Sequence, residues 1–281
     1  MKTGIVILNY NDSNTTAEII NRIKNYNVLD LIVVVDNKST DDSYTLLKEY
    51  ENEKIKVIQA DSNNGYGAGN NIGARYLVEN NVDYIIISNP DIIFEEADII
   101  NLCTSFEQEN VAVVAPTINE HGNLNRGWKF KGPIWDSFSN INYLGRIFKK
   151  KQLYPQEHYI GKSSKVDIVS GCFFIIRKDV FEKIDFFDEN LFLYYEENVI
   201  AKKIQNIGMD IIVRNDVTII HNHSVSIDKT YNKIRKFKIL ARSQRYFHKS
   251  YNNAGIIRMA ALYVSYGITL AISHILGLFD K

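Results

Sequence analysis

The sequence predicts an α/β fold: a mostly parallel central sheet flanked by helices, followed by a helical C-terminal extension. Three observations lead there. Short apolar runs alternate with helix-like segments through the first half of the chain. Those runs are Val/Ile-rich without polar alternation, as strands buried on both faces are. The charge pattern then changes: no acidic residue lies between Asp228 and Asp280, a span holding Lys229, Lys233, Arg235, Lys236, Lys238, Arg242, Arg245, Lys249 and Arg258.

The elements follow in order. Residues 4–8 read as a strand and 13–24 as a helix. Residues 31–35 are a strand, and 41–51 a helix with acidic residues in its first turn. A strand at 55–58 leads into a glycine-rich turn and a helix to about residue 79. Residues 84–88 form the next strand, and the chain then turns on Asn89-Pro90-Asp91. A helix near 98–109 and a strand at 111–115 complete this half. Residues 117–165 break the rhythm and read as an irregular insertion, with Trp128, Trp135 and a basic run at 148–151. Strands at 165–169 and 172–176 follow, then helices at 179–183 and 196–206. The stretch "MDIIVRNDVTIIHNHS" reads as two short strands ending at His221.

The bulk numbers bound the possibilities. A chain of 281 residues with 45% hydrophobic content can bury a large core. Its formal net charge is zero, which gives no case for nucleic acid as a partner. Cys103 and Cys172 lack metal-ligand spacing, and a reducing compartment is the simplest setting. The N-terminus enters strand-like sequence at once, so no signal peptide is expected.

In open α/β sheets ligands sit beyond the carboxyl ends of the strands. The first four strands end on polar residues: Asn9-Tyr10-Asn11, then Asp36-Asn37-Lys38-Ser39, then "DSNNGYGAGNNIG", then Asn89-Pro90-Asp91. Together they indicate one polar ligand site. Each piece alone has a plainer reading. Ser39 or Thr40 could cap the following helix, whereas Asp36 stands at the strand tip, where a carboxylate can take a nucleotide's hydroxyl or base N–H. The glycines Gly65, Gly67, Gly69 and Gly73 depart from the dinucleotide fingerprint and follow the third strand. They suit a turn needing positive φ, or close backbone approach to an anionic ligand at a helix N-terminus. Asp91 is a turn residue or a ligand to a hard divalent cation, which is typically held by one or two carboxylates and substrate phosphates. Glu196 and Glu197 open a helix, where acids complement the dipole. Their aromatic setting could instead raise a carboxyl pKa and make a general base. His221 and His223 end a strand and are structural, or complete a mixed oxygen–nitrogen metal site that tolerates Mn²⁺.

Seven segments in order, "VILNYN", "VVVDNKSTDDS", "NNGYGAGNNIG", "ISNPDIIF", "VSGCFFIIRKDVF", "FDENLFLYYEENV" and "IIHNHS", resemble the family 2 inverting glycosyltransferases of GT-A (Rossmann-like) fold, in particular the rhamnosyltransferase-like enzymes of bacterial polysaccharide assembly. The resemblance spans roughly residues 3–225. It implies a donor half, about 1–116, and an acceptor half, about 117–225. It implies that Asn9, Tyr10 and Asp36 hold the nucleotide of a sugar donor, and that Asn63, Gly65, Gly69 and Asn71 line the donor pocket. Asp91 stands at the end of the family's Asp-x-Asp motif, whose earlier carboxylate is here Asn89. Glu197, with Glu196 beside it, matches the catalytic base, and His221 a histidine that helps bind metal or diphosphate. The implied cofactor is Mg²⁺ or Mn²⁺. The donor leans to dTDP-rhamnose, then a UDP-hexose, and the acceptor is a glycan or lipid-linked hydroxyl. Where the family commonly has Glu-Asp-x-Asp-Leu, this chain has Glu196-Glu197-Asn198-Val199-Ile200, and Lys203 stands where Arg is frequent.

Residues 226–281 make a basic segment and then 259–279 without formal charge, long enough as a helix to span roughly 31 Å. It reads as an interfacial helix pair on an anionic membrane, as a helix packed on the domain or a homodimer partner, or as a membrane span. The first suits a cytoplasmic enzyme peripheral at the inner face of the membrane. The competing function is a non-catalytic nucleotide-sugar-binding or scaffold protein. An NAD-type oxidoreductase is disfavoured by the misplaced glycines.

Overall fold

Strand β1 (Thr3–Asn9) organises the sheet. It pairs in parallel with β2 (Leu31–Asp36) and β4 (Tyr84–Ser88), and β3 (Ile55–Gln59) adds beyond β2. The structure, a computed structural model, describes residues 1–141, 152–222 and 232–275. Beyond β4 the order continues β9 (Phe173–Arg177), β6 (Val111–Glu120), β10 (Asp210–His221) and β5 (Ile92–Ile93). β9 is antiparallel to both its neighbours, so β6 and β10 run in the direction of β1. The short strands β7 (Asn123–Asn125), β8 (Ser163–Val166) and β5 add antiparallel pairings. The sheet is thus mostly parallel, as expected.

The unalternated strands are explained by two cores. Ile5, Ile7, Ile32 and Val34 face one cluster, and Val6, Val33, Val35, Ile85 and Ile87 the other. Helices α1 (Ser13–Ile23) and α4 (Glu96–Cys103) cover the first face. Helices α3 (Tyr66–Glu79), α6 (Lys178–Lys183) and α7 (Glu196–Asn206) cover the second. Helix α2 (Ser43–Lys48) sits beside α1. Burying one such side chain stabilises by about 1.5–3 kcal/mol. Many of them can offset a polar sheet edge that is itself buried.

Several expectations are corrected. The described residues of the 117–165 stretch carry regular elements: β6 runs on to Glu120, turns into β7, and helix α5 (Pro133–Asn140) follows, started by Pro133 in its first turn. Trp128 bridges to Ile168. The basic run 148–151 lies outside the described residues, as does His223. The two strands expected before His221 are one strand, β10, whose pairing with β6 slips between Arg214 and Thr218. The helix expected at 98–109 is α4 followed by a 3-10 turn, with Asp98 and Glu95 forming a capping box. Cys103 and Cys172 are both free and buried.

The C-terminal segment forms α8 (Lys233–Ser250) and α9 (Ile256–Ile275). Both pack on the body. Leu191, Val199 and Phe247 make a third apolar cluster beneath α8, and α9 lies along α5, where Thr269 donates to the Asn140 carbonyl. Of the three readings, α8 takes the packed one, while α9 keeps Tyr263, Val264 and Ile268 exposed.

Arg214 pins the bulged part of β10. Its guanidinium, 4% exposed, pairs with Asp216 and donates to Asn101 O, Thr104 Oγ1 and Ser105 Oγ at the end of α4. Removing it leaves several acceptors without a donor, so Arg214→Ala is expected to cost about 2–3 kcal/mol. Urea unfolding checks this, as a lower midpoint with unchanged slope.

Candidate active site

The parallel register sets Asn9 opposite Asp36 at the carboxyl edge of the sheet. Both are fully buried. Asn9 Nδ2 donates to Asp36 Oδ1 (2.9 Å) and to Ser39 Oγ (3.2 Å), and its Oδ1 accepts from Thr16 (2.9 Å). Asp36 Oδ2 accepts from Ser39 N and Gln59 Nε2. Asn11, at positive φ, joins the turn through Ser39 and Thr40. Ser39 and Thr40 therefore do not cap α2; they bind the first strand's turn to the second's. Tyr10 is half-buried beside them.

The glycine-rich turn divides into distinct roles. Gly65 has φ +104°, and a Cβ there would lie 2.1 Å from the Phe192 carbonyl, so close backbone approach requires glycine. Gly69 lies where a Cβ would meet Leu8 at 2.4 Å, so helix-on-sheet packing accounts for it. Asn63 Oδ1 accepts from Asn37 Nδ2 and Gly65 N, shaping the turn. Asn71 faces away from the edge. Its amide donates to the Phe187 carbonyl and Glu189, and accepts from Phe187 N, so it anchors the 187–189 segment.

The Asn89-Pro90-Asp91 turn leads straight into β5, whose Ile92 pairs with His221. That pairing brings Asp91 to His221: Oδ1 and Nε2 are 3.3 Å apart, and Asn222 N donates to the Asp91 carbonyl. His221 Nδ1 lies 3.4 Å from Glu120 Oε1. Burial pushes the imidazole pKa down, but hydrogen bonds to Asp91 and Cys172 outweigh it and raise the value to about 10. Among the described residues no group of three or more His, Cys, Asp or Glu side chains is arranged to hold a metal ion. At that value the ring keeps its proton beside Asp91, so a cation at this corner must displace the imidazolium proton and take its remaining ligands from a bound diphosphate and water.

Glu196 and Glu197 start α7 directly after Tyr194 and Tyr195, both at positive φ (71° and 74°). Such strain in bulky residues persists only where the surroundings enforce it. Glu196 is buried, and its Oε1 has no hydrogen-bond partner among the described residues. Burial, then repulsion from Glu197, raises its pKa to about 8, and burial raises Glu197 as well. Each carboxylate disfavours ionisation of its neighbour. Glu197 Oε2 lies on the side-chain side of Gly171, where an added Cβ would stand 3.9 Å from it. Gly171 and Cys172 connect this pair to the Asp91 corner: Asn89 N donates to the Cys172 carbonyl (2.8 Å), and Tyr66 Oη lies 2.7 Å from the Gly171 carbonyl and 3.1 Å from Asn89 Oδ1.

The loop leading into α7 is held from two sides. On one, Tyr66 N donates to the Phe192 carbonyl, and Lys203 Nζ donates to the carbonyls of Asp185 and Phe186, both at positive φ. On the other, α8 supplies Ser243 Oγ to the Leu193 carbonyl, and Tyr246 to Asp188, joined by Tyr251 just past the helix. Tyr195 Oη donates to Asp136 Oδ2 on α5 (2.5 Å), and His248 Nε2 meets the same oxygen at 2.8 Å. Sequence reasoning missed Tyr66, Gly171, Asp136 and His248 as parts of this region, and it placed Tyr195 only in the aromatic setting of the acidic pair. Tyr66 and Gly171 stand inside the "NNGYGAGNNIG" and "VSGC" segments, which marked the region without giving either residue a role.

A carboxyl-edge polar site on a mostly parallel sheet, facing a buried acidic pair, fits the sugar-nucleotide transferases, and the chain belongs to glycosyl transferase family 2, whose model matches residues 4–185. It is 30% identical over 228 residues to the low-salt glycan biosynthesis hexosyltransferase Agl10 of Haloferax volcanii, covering 79% of this chain and 67% of that protein. It is 27% identical over 218 residues to the dTDP-rhamnosyl transferase RfbF of Shigella flexneri, covering 77% and 67%. The mannosyltransferase PcManGT from Pyrobaculum calidifontis, solved with GDP-Man and Mn²⁺, matches in fold with a TM-score of 0.61 at 13% identity, covering 98% of this chain and 75% of that one.

The buried acid has a consequence for stability. Between the ordinary carboxylate value and about 8, the folded protein keeps a Glu196 proton that the unfolded chain releases. Stability therefore falls as pH rises through that window. Glu196→Gln mimics the protonated form. Its melting temperature is expected to match wild type near the low end and to exceed it increasingly toward the high end. A constant difference across the window would contradict the burial of a protonated Glu196.

Proposed function

We propose that the protein transfers a sugar from a nucleotide-sugar donor, dTDP-rhamnose or a UDP-hexose, to a hydroxyl of a glycan or lipid-linked acceptor, with inversion, in the assembly of a cell-surface polysaccharide. The observation that carries this reading is the convergence at Gly171–Cys172, where Glu197 approaches from one side and the Asp91–His221 corner from the other. Names of the relatives, a hexosyltransferase and a dTDP-rhamnosyl transferase, support the donor class.

The nucleotide would lie against Tyr10 over the buried Asn9–Asp36 pair, which shapes the strand tips beneath it, with the turn at Asn63 and Gly65 beneath its diphosphate. Asp91 and His221 would hold Mg²⁺ or Mn²⁺, which supplies positive charge for the leaving diphosphate. The acceptor hydroxyl attacks the anomeric carbon from the face opposite the leaving group. Its proton passes to Glu197 as the new C–O bond forms and the bond to the diphosphate oxygen breaks. A raised carboxyl pKa makes Glu197 a better match for that proton than an exposed glutamate. Glu196, keeping a proton, avoids a second negative charge beside it.

The α9 helix is long and apolar enough to cross a membrane by length and composition, and its exposed Val264 and Ile268 accompany exposed Trp135 and Phe138 of α5. With the basic α8 alongside, this supports peripheral association with an anionic membrane at the inner face.

The test is transfer and donor hydrolysis across dTDP-, UDP- and GDP-sugars, with Mg²⁺, Mn²⁺ or chelator. Wild type turns over one donor. Glu197→Gln loses at least about a hundredfold in kcat, the scale of general base catalysis. Asp91→Asn loses turnover that added metal restores only in part. Full turnover in both variants would contradict these roles, and donor binding without any turnover would favour a binding or scaffold protein.

A further inference from the structure

Between α8 and the loop ahead of the acidic pair lies a cavity of about 420 Å³. Its helix wall presents Arg235, Ile239, Arg242 and Tyr246, spaced by four, three and four residues and so aligned on one helix face. Its other wall is Asn190 and Phe192. Phe192 is also the residue whose carbonyl receives Tyr66 N, so one chain thickness separates this cavity from the glycine turn. Helix α8 contains no acidic residue. Tyr246 Oη and Ser243 Oγ already donate to Asp188 and Leu193, and Asn190 donates to Asp188. Arg242 makes no hydrogen bond or ion pair among the described residues and is exposed. A guanidinium pair seven residues apart, with apolar side chains between and beside it, matches an anion joined to an apolar body. Planar guanidinium forks suit phosphate oxygens in particular. The neighbouring α9 adds an exposed apolar surface with Tyr263, Val264 and Ile268.

We infer that this cavity binds the phosphate end of a lipid-linked acceptor, a phosphate or diphosphate ester carrying an apolar tail, through Arg235 and Arg242. The inference rests on the glycosyltransferase reading and extends it, because the loop shared by the cavity and the acidic pair would bring the sugar end of such an acceptor toward Glu197. Bulk anionic phospholipid offers similar chemistry, and the arms below distinguish the two.

The full chain is saturated with nucleoside diphosphate, kept free of divalent metal, and titrated calorimetrically with farnesyl diphosphate. The same titration is run on Arg235→Gln/Arg242→Gln, and with inorganic pyrophosphate on wild type. Farnesyl diphosphate is expected to bind wild type more tightly than pyrophosphate. The double variant should bind it at least about tenfold more weakly, with unchanged nucleotide affinity and melting temperature. Equal binding by the variant, with nucleotide affinity intact, would overturn the cavity assignment and leave the transferase reading standing. Failure of wild type to bind any nucleotide or nucleotide sugar would overturn both. If phosphatidylglycerol vesicles bind through the same arginines and farnesyl diphosphate fails to compete, the site is a general headgroup contact and the acceptor assignment falls.

Discussion

The geometry of the site depends on how one loop, residues 185–195, is held between the glycine turn and the C-terminal helix. The loop must deliver Glu196 and Glu197 into a buried setting, and it does so through left-handed residues at 185, 186, 194 and 195. Local preference does not favour that path at Phe186, Tyr194 and Tyr195, since each such bulky residue costs of order 1–3 kcal/mol. The contacts that fix it come from far along the chain: Gly65 and Asn71 on one side, Ser243, Tyr246, Tyr251 and the Tyr195–Asp136–His248 group on the other. The C-terminal helices are therefore part of what holds the acidic pair in place.

The departures from the family pattern make sense in that setting. Val199, where the family commonly has an aspartate, is fully buried against Leu191 and Phe247 under α8. An unpaired carboxylate there would be desolvated among apolar side chains at a large cost. Lys203, where an arginine is frequent, places its ammonium on the two carbonyls of the left-handed turn at 185–186, and burial lowers its pKa. One substitution docks the extension; the other secures the loop's entry.

Much of the fold was legible because it is local. The parallel strands and their helices follow from apolar runs and turn residues, and the polar tips Asn9, Asp36 and Asp91 follow from where those strands end. The meeting of Asp91 with His221 was one of two readings of the strand-end histidines, and family likeness favoured it. It results from the two-residue strand β5, too short to read from sequence, pairing with the end of β10. Asn71 illustrates the opposite case: its place in a glycine-rich turn suggested a ligand, while its side chain serves the backbone of Phe187. His248 and Asp136 were illegible for a plainer reason. They lie 112 residues apart, and nothing in either neighbourhood marks a buried pair.

The claim that loop seating governs the chemistry is tested most directly by Tyr195→Phe, which removes one hydroxyl and keeps the ring. Transfer kcat and donor affinity are to be measured well below the melting temperature. Small displacements of a catalytic group can cost on the order of a hundredfold, so kcat is expected to fall at least about tenfold while donor affinity holds. Unchanged kcat in a folded Tyr195→Phe protein would contradict the account.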